Sequence, residues 1–506
     1  MTEPFRVSAN EHRADEIRWR HWTSAAFEEA ARGDRPVLLN LTTTWCRACR
    51  EMDEVTYSDA GIIALINERL LPVRVDADRR PDIQDRYIAG GWPTNALLTP
   101  TGEVFWSGTY VEPRDLRRAV EGVLEAWTDR REDLEAEIAR RRRAMDAARN
   151  RRPARGLVRK EAADDVLTGA QDQFDPRNGG FGDAPKFIHA EAIELLYDQG
   201  EALPNPDWVE IAGRTLDGML AGDIEDPVEG GWHHYALQAD WTAPQTEKLL
   251  SVNARILHAL AFAAARTGRE DLRGAAERTV AWADRVLARD GLWAGSQAAD
   301  PEYYAASDRT GMTPPPVDPT IYTSSAGSWI AALAGAGHML ERSDWVETAS
   351  TALDALLDRM AAPGDGLVHY AGPDAEPPAG LLIDLLHAAR AAVAVARAAD
   401  RPDALEEAGR LAATMADTLW DEDGGFADRP YDPDPVGALR YRDRPFEENA
   451  LAARLHIALA RETGDGSARA VAERILAFLS PLAGRYAVEG ATFATAVEEF
   501  FALRRR

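Results

Sequence analysis

The sequence predicts a multidomain chain in which an α/β domain precedes an all-α toroid, and three observations carry that prediction. Short apolar runs at Val37–Leu41, Leu71–Asp76 and Thr94–Phe105 are bounded by turn residues and alternate with helical patterns, as the strands of a mixed sheet do. From about Leu157 the texture changes to long Ala- and Leu-rich helical stretches. Glycine-rich loops break those stretches at roughly fifty- to seventy-five-residue intervals, the mark of stacked helix pairs. No such pair buries its faces alone, so closure into a ring is the natural solution. The expected division is 1–128 for the α/β domain, 129–156 for a charged connecting helix and 157–506 for the toroid. A length of 506 residues with 45% hydrophobic content is ample for more than one core.

In chain order, Met1 to Arg20 is polar and lacks the apolar centre of a signal peptide. Trp19 to Arg32 reads as an opening helix that feeds the strand at Val37. That strand runs out at Thr42-Thr43-Thr44 and hands over to a helix opening at Cys46 and passing through Met52. A second helix follows near Ile62 to Asn67, then the strand Leu71–Asp76. Gly90-Gly91-Trp92-Pro93-Thr94-Asn95 and the residues up to Phe105 read as a proline-led strand, a turn and a hairpin partner. A helix from Pro113 to Trp127 closes the domain, proline being tolerated in a first turn. Asp129 to Arg152 is too densely charged to bury much. It reads as a solvated helix with surface pairs such as Glu137 with Arg141, and the block Arg140 to Arg143 belongs to that face rather than to a binding patch.

Cys46 and Cys49 are the only cysteines. A helix opening at Cys46 places its sulfur among unpaired amide groups and the positive end of the macrodipole, which favour a thiolate. Cys49, one turn on, is close enough to resolve a mixed disulfide. Half a zinc site would need two further ligands at short spacing, and none stands near, so no metal is expected. The remaining alternative is inert core filler.

The net charge of −26 excludes nucleic acid and anionic membrane as natural partners. Lys160, Lys186 and Lys248 are the only lysines. An acidic surface with so little Lys fits either a high-salt, halophilic cytoplasm or an Arg-favouring genome. No run of about eighteen uncharged apolar residues occurs. A cytoplasmic protein with a catalytic CxxC is the expectation.

Taken together, the CxxC and the proline-led loop resemble the thioredoxin fold, in which a cis-proline loop faces the cysteine pair. Pro93 is the matching position, where it would shape a groove for an extended substrate segment; an ordinary trans strand-edge proline is the alternative. The resemblance sharpens with Asp76-Ala77-Asp78-Arg79-Arg80-Pro81-Asp82-Ile83, Leu97-Leu98-Thr99-Pro100-Thr101-Gly102-Glu103 and Ser107-Gly108-Thr109-Tyr110. These are similar to the thioredoxin-domain family of spermatogenesis-associated protein 20. That family implies a thioredoxin fold joined to an (α/α)6 toroid of the six-hairpin glycosidase type. It also implies Cys46 and Cys49 as the catalytic pair, with Trp45, Arg47, Trp92 and Pro93 around the substrate. Two departures bear on the chemistry. Arg47-Ala48 between the cysteines, where the family often carries His nearby, should lower the Cys46 pKa and make the disulfide more oxidising. Asn40 stands where ordinary thioredoxins have a proton-relaying buried Asp, so slower or less pH-tuned exchange is expected.

In the toroid, Phe181-Gly182-Asp183-Ala184-Pro185-Lys186-Phe187 and the run from Gly230-Gly231-Trp232 to Asn253-Ala254 resemble further family segments. They nominate Lys186, Trp232, His233, His234, Tyr235, Asp240, Trp241, Glu247, Lys248 and Asn253 as candidates in a funnel where the loops meet. Paired carboxylates, imidazoles and aromatic faces are the materials of sugar recognition. For Asp240 and Glu247 loop closure is the alternative to catalysis, and for His233 and His234 a structural role. The resemblance weakens at Gln245, Thr246, Ser251, Val252 and Gln297-Ala298-Ala299-Asp300. Two functions are therefore expected: a thiol-disulfide oxidoreductase acting on a protein or small-molecule disulfide without a cofactor, or a carbohydrate-active toroid with a redox-sensing or docking domain. A non-enzymatic scaffold is the third.

Overall fold

A computed structural model describes residues 6–149, 156–203, 205–364, 366–372 and 377–503. The residues before 6, 150–155 of the expected connecting segment, and position 365 in one of the glycine-rich loops expected between the toroid helices lie outside them. The chain forms two compact units, and the first adds Tyr431–Arg442 to the N-terminal residues.

The first unit is built on a four-stranded sheet. Strands β1 (Val37–Thr42), β2 (Leu71–Asp76), β3 (Thr94–Leu98) and β4 (Val104–Gly108) lie in the order β2-β1-β3-β4. β1 and β2 are parallel, and β3 and β4 are added antiparallel. Helices α1 (Ser24–Arg32), α2 (Arg47–Glu54), α3 (Ala60–Arg69), α4 (Pro81–Tyr87), α5 (Pro113–Asp129) and α6 (Arg131–Arg149) complete it. Because side chains alternate along a strand, Val37, Leu39 and Leu41 pack against α1 and α4, while Leu38 packs against α2, α3 and α5. Both faces of β1 are covered, which is why its run is apolar throughout.

Two expectations need correction. The helix proposed from Trp19 begins only at Ser24, where the Thr23 hydroxyl accepts the Ala26 amide at 3.3 Å. Arg20 is instead extended and bridges Val73, and the Trp19 indole is drawn inward against Tyr57 and the Arg74 guanidinium. The charged helix α6 does carry the Glu137 pair with Arg141, at 2.7 Å, but it is not wholly solvated. Arg142 pairs with Glu103, and Tyr441 donates to Asp146 at 2.6 Å.

Tyr441 belongs to the returning segment Tyr431–Arg442, which finishes the core of this unit. Leu439 is buried among Trp22, Phe27, Ile83 and Tyr87. The Ala438 amide donates to the Tyr87 hydroxyl at 2.8 Å, and that hydroxyl donates to the Gly102 carbonyl at 2.8 Å. Gly102 and Gly437 meet so closely that a side chain on Gly102 would collide with the Gly437 Cα; both hold positive φ.

The second unit is a closed ring of helix hairpins. Helices α7 (Glu161–Gln173), α9 (Pro206–Ala221), α11 (Glu270–Trp282), α14 (Ser343–Arg359), α16 (Pro402–Leu419) and α18 (Gly466–Leu479) form the outer layer. Each leads into an inner helix: α8 (Ala190–Ala202), α10 (Leu250–Thr267), α13 (Thr323–Met339), α15 (Leu382–Ala399), α17 (Phe446–Thr463) and α19 (Ala491–Leu503). A short helix, α12 (Pro301–Ala305), lies in the connection from α11 to α13. Neighbouring inner helices touch in the cycle α8, α10, α13, α15, α17, α19 and back to α8. This is the (α/α)6 toroid. Small residues permit the tight passages: a side chain on Gly327 of α13 would meet the His387 backbone of α15 at 2.8 Å.

Candidate functional site

In the first unit, β1 ends at Thr42 and delivers the chain to Cys46, which caps α2 in extended conformation; its Sγ accepts the Cys49 amide at 3.2 Å. Cys46 and Cys49 form a disulfide. They are 6% and 2% exposed, so a partner reaches the bond through the Cys46 side. The neighbouring loop carries the Trp92-Pro93 bond in cis. The Trp45 and Trp92 rings meet edge to face at 5.2 Å, and each indole N–H is anchored, Trp45 to Asp78 at 2.7 Å and Trp92 to Gln84 at 3.2 Å. Arg47 is exposed beside Cys46. Trp45, Cys46, Cys49, Trp92 and Pro93 are thus gathered by three elements: the end of β1, the start of α2 and the start of β3.

Beneath them lies a polar network that the sequence did not announce. Arg74 of β2 forms a buried bidentate pair with Asp53 of α2, at 2.5 and 3.1 Å, and its Nε donates to Asn40 Oδ1 at 3.0 Å. Asn40 passes a hydrogen bond to Asn95 at 3.0 Å, and the Tyr57 hydroxyl donates to the same Asn95 oxygen at 2.5 Å. Burial pushes the Tyr57 phenol well above its ordinary range. Asn40 is therefore a link in a chain of neutral and paired groups. The signal in the sequence was an Arg in the middle of an otherwise apolar strand.

The toroid candidates separate into two sets. Lys186, Lys248, Trp232, Trp241 and Asn253 are buried. They lock loops rather than line a funnel. Lys186 donates to Asp175 at 2.6 Å and to the Gly179 carbonyl at 2.8 Å; Lys248 does the same to Asp226, at 2.6 Å, and Gly230, at 2.8 Å. Arg444 takes the equivalent place with Asp421 and Gly424 in a third loop. Asn253 clamps the Trp232 backbone from both sides, at 2.7 and 3.0 Å, as Asn449 clamps Phe426 at 2.6 and 3.0 Å. Burial pulls the Lys248 ammonium down to about 8, while burial at Asp226 is outweighed by Arg309 and Lys248, which hold that carboxyl below the usual range. The pair is ionised at neutral pH. His233 is buried too, its Nδ1 at 3.0 Å from the Thr246 carbonyl; burial, and then Lys248, hold it neutral with a pKa of about 3. Asp240 accepts from the Thr242 amide and hydroxyl and closes its own exposed turn.

The second set lies nearer the surface, with His234 and Tyr235 half-buried over a buried Glu247. His234 Nδ1 lies 3.0 Å from Glu247 Oε1, and Tyr235 stacks on the exposed Phe187 at 4.7 Å. Sequence reasoning missed the ionisable side chains on the inner helices themselves. Glu191 (α8) and Arg255 (α10) pair bidentately at 2.5 and 2.6 Å, Arg454 (α17) and Glu499 (α19) at 3.0 and 3.2 Å, and His258 (α10) lies 2.6 Å from Glu194 (α8). Arg255 also lies 4.0 Å from Glu447 on the opposite helix α17, yet 45% of its side chain and 40% of that of Glu447 remain exposed. Charged groups facing one another across the ring while keeping solvent contact line an open channel. Burial raises the Glu447 carboxyl, with repulsion from Glu191 adding to it. At Glu191 burial acts the same way, but Arg255 outweighs it and holds the carboxyl at about 2. Among the described residues, no group of three or more His, Cys, Asp or Glu side chains could hold a metal ion, and no helix is long and apolar enough to cross a membrane.

Residues 7–146 match the Thioredox_DsbH family model, described as "Protein of unknown function, DUF255". Spermatogenesis-associated protein 20 of Homo sapiens is 26% identical over 324 residues, 57% of this chain and 40% of the human protein. The chain thus spans well under half the length of this curated relative. Among solved structures, the cellobiose 2-epimerase of Spirochaeta thermophila superposes with a TM-score of 0.52 at 19% identity, covering 63% of this chain and 83% of its own. The GH76 alpha-mannanase of Bacteroides thetaiotaomicron gives 0.52 at 10% identity, over 68% and 97%. Those likenesses are likenesses of fold, and they fall to the toroid as the family model falls to the first unit. Over its first unit the chain resembles the thioredoxin-domain family of spermatogenesis-associated protein 20, and its second unit has the fold of a six-hairpin glycosidase-like toroid.

Proposed function

We propose that the chain is a thiol-disulfide oxidoreductase working through Cys46 and Cys49. One observation carries the reading: Cys46 caps α2, is bonded to Cys49 and stands on the loop side where Trp92 and Pro93 lie. In the reduced form, the Cys46 thiolate attacks one sulfur of a substrate disulfide and expels the other as a thiolate. Cys49, deprotonated, then attacks Cys46 Sγ, releases the second substrate thiol and closes the Cys46–Cys49 disulfide. A thiol reductant returns the pair to the dithiol. The substrate is a protein or small-molecule disulfide, and no cofactor takes part. Insulin-disulfide reduction by wild type and by Cys46→Ser tests this directly. Wild type turns over and the variant does not; equal rates from both would remove the reading.

A second reading rests on His234 and Glu247 at 3.0 Å beside the stacked Phe187 and Tyr235. A carboxylate held by an imidazole next to an aromatic platform suits carbohydrate chemistry. Screening disaccharides and mannose-type sugars with Glu247→Gln as control tests it, and binding without turnover would favour a scaffold.

A further inference from the structure

The inner ring pairs nearly all its charges. Glu191 neutralises Arg255, Glu499 neutralises Arg454, and Glu194 meets His258. Arg390, on α15, is the exception. Among the described residues its side chain makes one hydrogen bond, from Nη1 to His387 Nδ1 at 3.3 Å, and has no carboxylate at ion-pair distance. It nevertheless feels Glu191 and Glu194 on α8, directly opposite α15 in the ring, and Arg454 and Glu447 on neighbouring α17. A guanidinium within electrostatic reach of the opposite and adjacent helices reaches toward the axis of the channel.

Glu447 is the other group left over. The Thr492 hydroxyl approaches its Oε1 at 3.3 Å, and Arg255 stands 4.0 Å away while committed to Glu191. Burial and the opposing Glu191 favour its protonated form. It acts on Arg390 through space, without an ion-pair contact. Burial and Arg454 lower even the Arg390 guanidinium, to about 10, which records the cost of a cation without its anion in this enclosure.

We propose that the axial channel of the toroid binds a small hydroxylated oxyanion, whose carboxylate or phosphate is gripped by Arg390 and whose hydroxyl groups meet Glu447. The planar fork of an arginine matches both oxyanions in two parallel hydrogen bonds, which a lysine cannot reproduce. Three features select the ligand. Arg390, with no carboxylate at ion-pair distance among the described residues, selects an anionic group. The Glu447 carboxyl, raised by burial and by Glu191, can hydrogen-bond a hydroxyl in either protonation state. The solvent contact kept by Arg255 and Glu447 gives it a way in. The site lies wholly in the second unit and does not depend on the cysteines.

Thermal-shift and calorimetric titrations of the full chain with gluconate, glucose 6-phosphate and inorganic phosphate, with glucose as the neutral control, test the proposal. At least one charged probe binds wild type more tightly than glucose, and the carboxylate and phosphate arms say which oxyanion is taken. Arg390→Gln weakens that probe by about tenfold or more, as expected for charge-assisted hydrogen bonds. The unliganded variant melts no lower than wild type, because it loses an uncompensated cation. If Arg390→Gln does not fold, Arg390→Lys serves, since it keeps the charge, loses the fork and should weaken the probe similarly. Glucose binding as tightly as the charged probes, no response to any of the three, or unchanged affinity in the folded Arg390 variant would each overturn the proposal.

Discussion

Asp53 accepts both arms of the Arg74 guanidinium, at 2.5 and 3.1 Å, with each side chain 2% exposed. The pair ties α2, the helix that Cys46 caps, to β2 of the central sheet. Removing one partner strands the other as a buried charge, so Asp53→Asn and Arg74→Met should each cost about 3–5 kcal/mol. The double variant Asp53→Leu with Arg74→Met should cost less than the sum. Denaturant unfolding of the three proteins measures it, and additive losses would show that the two charges do not depend on each other.

His456 of α17 is 4% exposed, lies over Phe426 at 5.8 Å, and has no partner for either ring nitrogen among the described residues. Burial lowers its pKa to about 4. The unfolded chain therefore takes up this proton first on acidification. Stability is unaffected by the group above pH ~6.5 and falls as pH drops from there toward 4, by an amount of order 3 kcal/mol. His456→Leu should flatten that part of the profile and leave pH 7.5 stability equal or higher. Melting curves across the range, and the imidazole NMR titration in wild type, check both statements.

Asn253 and Asn449 occupy equivalent places at the starts of α10 and α17, each satisfying the amide and carbonyl of an aromatic residue. Replacement by Ala leaves a buried N–H without an acceptor, at a cost of about 1–3 kcal/mol each. Since the two sites sit in different hairpins and share no partner, the double variant should lose close to the sum. Chemical unfolding of the single and double variants decides it.

Arg47 is exposed beside the capping sulfur. Reversing its charge in Arg47→Glu should raise the Cys46 pKa and slow alkylation of the reduced protein at pH 7 severalfold. The interaction is screened by solvent ions, so high salt should narrow the difference between variant and wild type. Rates that match at low salt would leave the helix start alone responsible for activating the thiol.

Patterns local in the chain were legible. The strand that ends at Thr42, the helix opening at Cys46, the proline at 93 and the recurring Gly-Gly-aromatic loops are each written in a few adjacent residues. What was not legible depends on distant partners. Trp19 looked like the start of a helix because nothing nearby shows that Arg74 and Tyr57 will take its ring. Lys186 and Lys248 looked like funnel residues because a rare cation in a loop motif reads as function. Their carboxylates, Asp175 and Asp226, stand eleven and twenty-two residues upstream, where only the fold brings them together. The ring charges escaped notice for the opposite reason. Glu191, Arg255, Arg390 and Glu447 look like ordinary polar faces until six helices close around them.

The segment Tyr431–Arg442 arrives from far along the chain, yet Leu439 is part of the wall of the N-terminal core and Ala438 is bonded to Tyr87. A gene fragment stopping near residue 149 would therefore yield a body with an open flank around Trp22, Phe27 and Tyr87. Poor behaviour of such a fragment would say nothing about its chemistry, and any dissection of the two units has to be made by point substitution in the intact polypeptide.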